Sequence, residues 1–422
     1  MPSCIAKPAS ANDVAEIVTT LVAANCEFAI KGRGHAPAAG FANIDHGVTI
    51  DMTGLSSIGV NNDHSVANVD AGASWLDVYA FLDPLNKTVA GGRNGAVGVG
   101  GLTLGGGISY FSPQVGWTCD TVVNFELVLP SGHLVNANHT SHPDLYRALK
   151  GGTNNFGIVT RFDFSTIPIG EILAGNIAHN ISYSKEVFEA FINIANAPIY
   201  DVHASLVTSL AYSSTSKAWS LSSTPIYTLP IPNPPIYHNL FAIPNITNTM
   251  HLTPLHTLAN ETATPQLNFL FYTATLAPSS ALLTTIFAIA NATFHDSPPA
   301  VTWLVTLEPL PTAITARAAG NNVLGTSAAD GNAVVLLLTG VWGSANATAS
   351  MEDKAATVMR DVEGAARRAG LWKRFTYANY ANARQDPVRS YGEGNEAFLK
   401  RVAGKYDGAG VWGSIVPGGF KL

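Results

Sequence analysis

A strand-like run, Phe28-Ala29-Ile30, passes straight into Lys31-Gly32-Arg33-Gly34-His35, and this junction constrains the chain more than any other stretch. Glycines at 32 and 34 let the backbone take positive φ and turn successive N–H groups to one side. Such a turn forms a nest able to hold a phosphate. His35 leaves the nest with its imidazole aimed at whatever carries the phosphates, and the small residues Ala36-Pro37-Ala38-Ala39-Gly40 follow. The pattern predicts a grip on a large phosphorylated ligand, with a side chain at its reactive end.

Two further glycine clusters follow. The longer runs from Gly91 to Gly107 and contains Gly98-Val99-Gly100-Gly101-Leu102-Thr103-Leu104-Gly105-Gly106-Gly107. It departs from G-x-G-x-x-G because Thr103 stands where the third glycine belongs, and no Lys-Ser/Thr makes it a Walker-type phosphate loop. The chain has no G-x-S-x-G nucleophile elbow either. β-Branched and leucine residues alternate with these glycines, which points to ordered backbone pressed against a flat ligand rather than to a linker. The third cluster is Gly151-Gly152-Thr153-Asn154-Asn155-Phe156-Gly157.

With 422 residues, 47% of them hydrophobic, the chain can bury an ample core, and two domains are the expectation. A net charge of −6 argues against nucleic-acid binding, which needs a basic face. No apolar run reaches the length of a membrane-spanning helix. Only 12% of residues are charged, yet N-x-Ser/Thr sequons start at Asn86, Asn138, Asn180, Asn245, Asn260, Asn291 and Asn346. Their density predicts a secreted glycoprotein with hydrophilic glycans on its surface. Met1-Pro2-Ser3-Cys4 enters a strand directly, so the expectation is a secretory leader removed upstream. Three cysteines make no disulfide scaffold. A Cys4–Cys26 bridge is feasible if the strands they border are adjacent, and Cys119 reads as a buried small hydrophobe.

Residues 3–31 read as strand, helix, strand: Ser10 and Asp13 form a capping box ahead of the apolar face Val14, Ile17, Val18, Leu21 and Val22. Further strands are expected at 48–50, 66–69, 122–129 and 158–164, with helices starting at Ser74 and Pro143. Beyond Ile167-Pro168 the glycines thin and prolines gather. Apolar strands at 204–211, 267–277 and 333–341 alternate with helices at 184–196 and 279–290, which suits an antiparallel sheet flanked by helices. Ser350 is expected to cap a helix that ends before Gly370, and an aromatic stretch, Phe375-Thr376-Tyr377-Ala378-Asn379-Tyr380, follows.

The motifs in order, Gly32 to His35, the 98–107 cluster, Gly151 to Val159 and Tyr377-x-Asn379-Tyr380, resemble oxidases with a p-cresol-methylhydroxylase-type FAD domain, in the berberine-bridge-enzyme-like branch. The ending Val416-Pro417-Gly418-Gly419-Phe420-Lys421-Leu422 is similar to fungal members. The resemblance implies an α+β fold. A two-part FAD-binding domain (1–168 and 371–422) would enclose a substrate domain (169–370) built on an antiparallel sheet.

It also implies roles. His35 matches the histidine that bonds covalently to the flavin. Asn94 occupies the position where many members carry a second, cysteinyl link, so a single link is expected, leaning toward a smaller, more apolar substrate. Val99 matches a position that gates oxygen, and a small residue there is permissive for O2. Cofactor contacts are expected from Gly32, Arg33, Gly34, His35, Gly98, Val99, Gly100, Gly101, Leu102, Gly105, Gly106, Gly107, Asn155, Gly157, Ile158, Val159, Asn379 and Tyr380. The catalytic pair expected is Tyr377, as general base, and Asn379, hydrogen-bonding the flavin or substrate. A phenol with a pKa near ~10 needs a cation or donors beside it to serve, and Lys373 and Arg374 are near in sequence. If 377–380 is a strand, Tyr377 and Asn379 share a face and Tyr380 points away. His139 and His142 have H-x-x-H spacing, but Asn138 opens a sequon there, which favours an exposed loop over a metal site. The implied activity is removal of hydride from a C–H bearing a hydroxyl or amine, in a small molecule or saccharide, with O2 reduced to H2O2. An oxidative cyclase of secondary metabolism and a non-catalytic flavin-binding scaffold are the rivals.

Overall fold

A computed structural model describes residues 1–260, 267–318 and 320–422; the sequon that begins at Asn260 runs into residues outside them. The helix Ala11–Ala23 starts at the capping box: Ser10 Oγ accepts the Asp13 N–H at 3.1 Å, and the Asp13 carboxylate accepts the Ser10 N–H at 3.0 Å. Val14, Val18 and Leu21 form its buried face. The strands on either side, Cys4–Ala6 and Phe28–Lys31, both run parallel to Val48–Asp51, which lies between them. They are therefore not neighbours, and the conditional Cys4–Cys26 bridge falls. Two strand spacings of ~4.8 Å exceed the ~7 Å Cα reach of a disulfide, and all three cysteines are free.

The second layer is a five-stranded antiparallel sheet in the order Ile58–Val60, Val66–Asp70, Ile158–Ser165, Val122–Val128, Leu134–Ala137. Its centre is tied by Asp163, whose carboxylate accepts from Asn68, Asn124 and Arg161. Phe375, Tyr377, Tyr391, Leu399, Val402, Trp412 and Val416 join the same core as Val14, Phe28, Trp75 and Phe162. The end of the chain thus packs with its beginning.

The middle of the chain builds a ten-stranded sheet. The helices Ser184–Ala195, Ser280–Phe294 and Thr348–Arg368 cover one face, burying Leu307, Leu336, Leu338 and Tyr272. Side chains alternate across a strand, so Glu308, Leu337 and Phe271 belong to the opposite face. Besides several strands of two or three residues, two ten-residue strands of this sheet were not expected from the sequence, Ala218–Tyr227 and Val301–Leu310, and each contains a proline, which argues against a strand. The sheet accommodates both. Pro309 pairs with Val334 on one side, while the strand on the other side ends its pairing at Leu307. Proline's missing N–H therefore faces no ladder. The long helix starts at Thr348 with Ala347 as N-cap, so Ser350 lies inside its first turn and does not cap it. A 3-10 turn, Ala345–Ala347, leads in and replaces the side-chain cap.

Candidate active site

A cavity of about 440 Å³ lies where the glycine loops meet the uncovered face of the large sheet. Of the residues singled out by sequence, Gly32, Arg33, Gly34, His35, Gly98, Gly100, Gly101, Leu102, Gly157, Ile158, Val159, Tyr377, Asn379 and Tyr380 line it. Val99, Gly105, Gly106, Gly107 and Asn155 do not. Val99 is fully buried in the core. Asn155 spends its amide on the carbonyls of Gly152 and Phe420, at 2.9 and 2.8 Å.

The glycines divide by what a Cβ would meet. On Gly105 it would lie 1.9 Å from Asn379 Oδ1, and on Gly107 2.5 Å from Thr118 Cβ. Those positions are glycine because protein packs against them. On Gly101 a Cβ would meet nothing within 4 Å, and on Gly32 only Ala71 O at 3.8 Å. Protein contacts do not require glycine at these two positions, and both line the cavity. Gly34 takes the left-handed conformation, φ +71°. Gly32 is not among the residues with positive φ, so the turn uses one such residue rather than two. Arg33 is held by Asp77 at 3.4 Å, and His35 is exposed and lines the cavity.

The segment Ala378–Tyr380 is a 3-10 turn with Tyr377 as its N-cap, not a strand. A helical turn breaks the alternation expected of extended chain, so Tyr380 does not point away. It lines the cavity beside Tyr377, with ring centroids 4.8 Å apart. Asn379 Nδ2 donates to Leu102 O at 2.9 Å and to the Tyr377 oxygen at 3.0 Å. The Ile108 N–H donates to that same oxygen at 2.9 Å. Burial pushes the Tyr377 pKa up; Asn379, Arg93 and the Ile108 N–H only partly offset it. The cation near Tyr377 is therefore Arg93, not Lys373, which donates to Asp330 O, or Arg374, which packs against Gly392.

Arg93 and Glu308 are the residues sequence reasoning missed. Arg93 Nη2 donates to Glu308 Oε1 at 2.7 Å and to the Tyr380 oxygen at 2.5 Å, while the Tyr380 hydroxyl donates to Glu308 Oε1 at 2.8 Å. The side chains of Arg93 and Glu308 are 14% and 4% exposed, so this pair is shielded from water. Burial disfavours the Arg93 charge, but Glu308 and then Tyr380 outweigh it and hold the guanidinium firmly ionised. Burial likewise raises the Tyr380 pKa; Arg93 opposes the rise and Glu308 adds to it. Glu308 Oε2 is buried with no hydrogen-bond partner among the described residues. Two faint signals were there to read: Arg93 is the lone cation in a glycine run, and Glu308 the lone charge in an apolar strand.

Other candidates lie elsewhere. Cys119 is fully buried, and burial raises its thiol pKa. His142 Nδ1 sits 3.1 Å from Asn136 O, His139 is exposed, and the described residues hold no His/Cys/Asp/Glu group suited to a metal. Asn94 lines the cavity.

These features fit a dinucleotide flavin cofactor. A glycine-rich turn, open glycine backbone along one wall and an exposed histidine occupy one cavity, whose volume is ordinary for a ligand site. Comparison with known proteins agrees. An FAD binding domain family matches residues 2–138. The chain is 36% identical to the FAD-dependent monooxygenase tpcD of Cochliobolus heterostrophus over 441 residues, spanning 100% of this chain and 85% of that protein. Among solved structures, 6-hydroxy-D-nicotine oxidase from Arthrobacter nicotinovorans superposes with a TM-score of 0.81 at 20% identity, covering 96% of this chain and 90% of that one. Acremonium strictum glucooligosaccharide oxidase gives 0.80 at 20% identity, covering 98% and 91%. At such identity the two structures speak for the fold alone.

Proposed function

The chain belongs to a family of FAD-dependent oxidoreductases that includes the fungal FAD-dependent monooxygenases, and from that premise we propose that it is a berberine-bridge-enzyme-like oxidase with FAD tethered covalently through His35 alone. FAD supplies the hydride acceptor and, through O2, the route to H2O2. The loops at 32–35, 98–102 and 157–159 would hold it. Asn94 has no thiol, so a cysteinyl second link has no donor there.

The observation that carries the catalytic reading is the buried chain Arg93–Tyr380–Glu308 beside Tyr377 and Asn379. Removing hydride from a carbon leaves a proton to be taken from the adjacent O–H or N–H. Tyr377 was the expectation, and its oxygen does sit among donors that favour phenolate. Tyr380 is better placed to accept, because its own proton already points at Glu308 Oε1. As Tyr380 takes the substrate proton it passes its own to Glu308, which neutralises the carboxylate and leaves the Arg93 guanidinium as net positive charge beside the cavity. A phenol with a raised pKa serves in this way without ever ionising. Asn379 orients Tyr377 and anchors the turn to Leu102.

The large sheet contributes Phe271 and Leu337 to the cavity, both apolar. A saccharide site wants several polar groups aimed at hydroxyls, so the reading favours an apolar small molecule. Secretion and N-glycosylation belong to the same proposal. Asn86, Asn180, Asn245, Asn260, Asn291 and Asn346 are exposed, whereas Asn138 is half-buried with its amide bonded to Asn124.

Acid precipitation should leave the yellow colour in the pellet, and His35→Ala should release it. Full release from the wild type would end the covalent assignment. Anaerobic mixing with a panel of apolar alcohols, amines and oligosaccharides should bleach the flavin for an apolar member. Air should then regenerate the colour with one peroxide per turnover. Ring closure in the product instead would favour the oxidative-cyclase alternative.

A further inference from the structure

The residues Gly418-Gly419-Phe420-Lys421-Leu422 entered the resemblance only as an ending similar to fungal members, without a role, yet they are built into the cavity. Gly419 and Phe420 line it. Gly418 O accepts from Asn154 Nδ2 at 3.1 Å. Phe420 O accepts from Asn155 Nδ2 at 2.8 Å and from Thr153 Oγ1 at 3.4 Å. The Phe420 ring meets Phe41 edge-on at 5.1 Å. The segment therefore bridges the loop that follows His35 and the third glycine loop, two walls of one cavity.

Its glycines are demanded by this docking. A Cβ on Gly418 would lie 2.4 Å from Gly40 O; one on Gly419, where φ is +91°, would lie 2.4 Å from Asn154 Oδ1. The next residue adds an unbalanced charge. Lys421 Nζ is buried without a hydrogen-bond partner among the described residues. Burial pushes its pKa down to about 8, and no charged neighbour offsets that. The cations that line the cavity are already paired, Arg33 with Asp77 and Arg93 with Glu308, and Lys421 follows the lining residue Phe420 without lining the cavity itself. A buried ammonium is costly until an anion joins it, and the diphosphate of FAD is the anion this cavity receives.

We propose that Gly418–Lys421 is a strap that holds FAD: docked between the His35 loop and the Thr153–Asn155 loop it completes the cavity wall, and Lys421 gives it a positive charge toward the diphosphate. This rests on the FAD reading of the cavity and needs neither the covalent link nor the proton route. FAD binding and strap docking then favour each other.

The test uses the full chain as His35→Ala, stripped of flavin and titrated with FAD by flavin fluorescence. Phe420→Ala and Lys421→Met in that background should each raise Kd roughly tenfold, the scale of one charge-assisted contact. Lys421→Met should also flatten the salt dependence of Kd, and Lys421→Arg should restore it. Hydrogen exchange at 418–422 should slow when FAD is added. Apo-protein melting close to the parent's shows that the variants fold. Unchanged Kd in both variants, or exchange indifferent to FAD, overturns the strap. An unchanged salt dependence in Lys421→Met overturns the charge assignment. A wild-type chain that takes up no FAD overturns the flavin reading and the strap together, whereas uptake with unaltered Kd in the variants overturns the strap alone.

Discussion

The two walls of the cavity are made differently. The loop wall, built from 32–35, 98–102 and 157–159, presents mostly backbone. The strand wall and the turn facing it present side chains, Phe271, Leu337, Tyr377 and Tyr380, which Arg93 meets from the glycine loop, with Glu308 bonded behind them. Six glycines line the loop wall, and on the FAD reading their open backbone would face a cofactor that never changes. On the proposed function, the side-chain wall would set which substrate enters and where its proton goes. The division teaches that the motifs marking the family lie in one wall, while the residues proposed to carry the particular reaction lie mainly in the other.

The largest expected effect breaks this comparison if it fails. Tyr380→Phe should slow anaerobic flavin reduction by roughly 10²–10⁴-fold, the usual span for a lost proton acceptor, with the flavin spectrum intact. Glu308→Gln should slow it in the same direction. If Tyr380→Phe leaves the rate unchanged and Tyr377→Phe collapses it, the proton leaves through Tyr377 instead.

Next comes a contrast inside the loop wall. Gly105→Ala drives a methyl to 1.9 Å from Asn379 Oδ1 and should cost about 1–3 kcal/mol of stability, read as a lowered urea midpoint in the apo protein. Gly101→Ala should leave that midpoint in place and weaken FAD uptake, since only the cavity lies over it. Equal midpoints for both would erase the division between packing and cofactor glycines.

Smaller again is the strand wall's effect on specificity. Leu337→Ala should raise KM for an apolar substrate by about tenfold, as for loss of an apolar contact worth ~1–2 kcal/mol, and change kcat little. A fall in kcat with KM constant would place Leu337 against the reacting atoms.

The smallest concerns the sheet beneath the loop wall. Burial alone would raise the Asp163 pKa, but bonds from Arg161, Asn68 and Asn124 outweigh it and hold it below the ordinary carboxylate value. A depressed folded-state pKa means stability that is fully present above the unfolded value, near ~3.9, and lost as pH falls through the folded one. Asp163→Asn should therefore flatten the acid limb of a stability–pH curve. An unchanged limb would assign acid sensitivity to other carboxylates.

Legibility followed the same line. The capping box at Ser10 and the helix start at Ser74 were readable because each is a local arrangement of backbone donors with a fixed residue type at a fixed offset. The Val301–Leu310 strand was not, since Pro309 argues against a strand until the missing neighbour beyond Leu307 is known. Tyr380 was assigned to the wrong face because alternation holds only for extended chain, and the segment closes into a turn.

By itself the sequence determined the loop wall, the order of its motifs and hence the family. Those features depend on residues close along the chain, where glycine or histidine has few substitutes. Only the tertiary structure decided that Arg93 meets Glu308, 215 residues away, and that Tyr380, 72 residues from Glu308, is held between them. No local rule brings a lone arginine, a lone glutamate and a tyrosine together. Their meeting is enforced by the packing of a sheet face onto a loop, which buries the charges and leaves each the other as its partner.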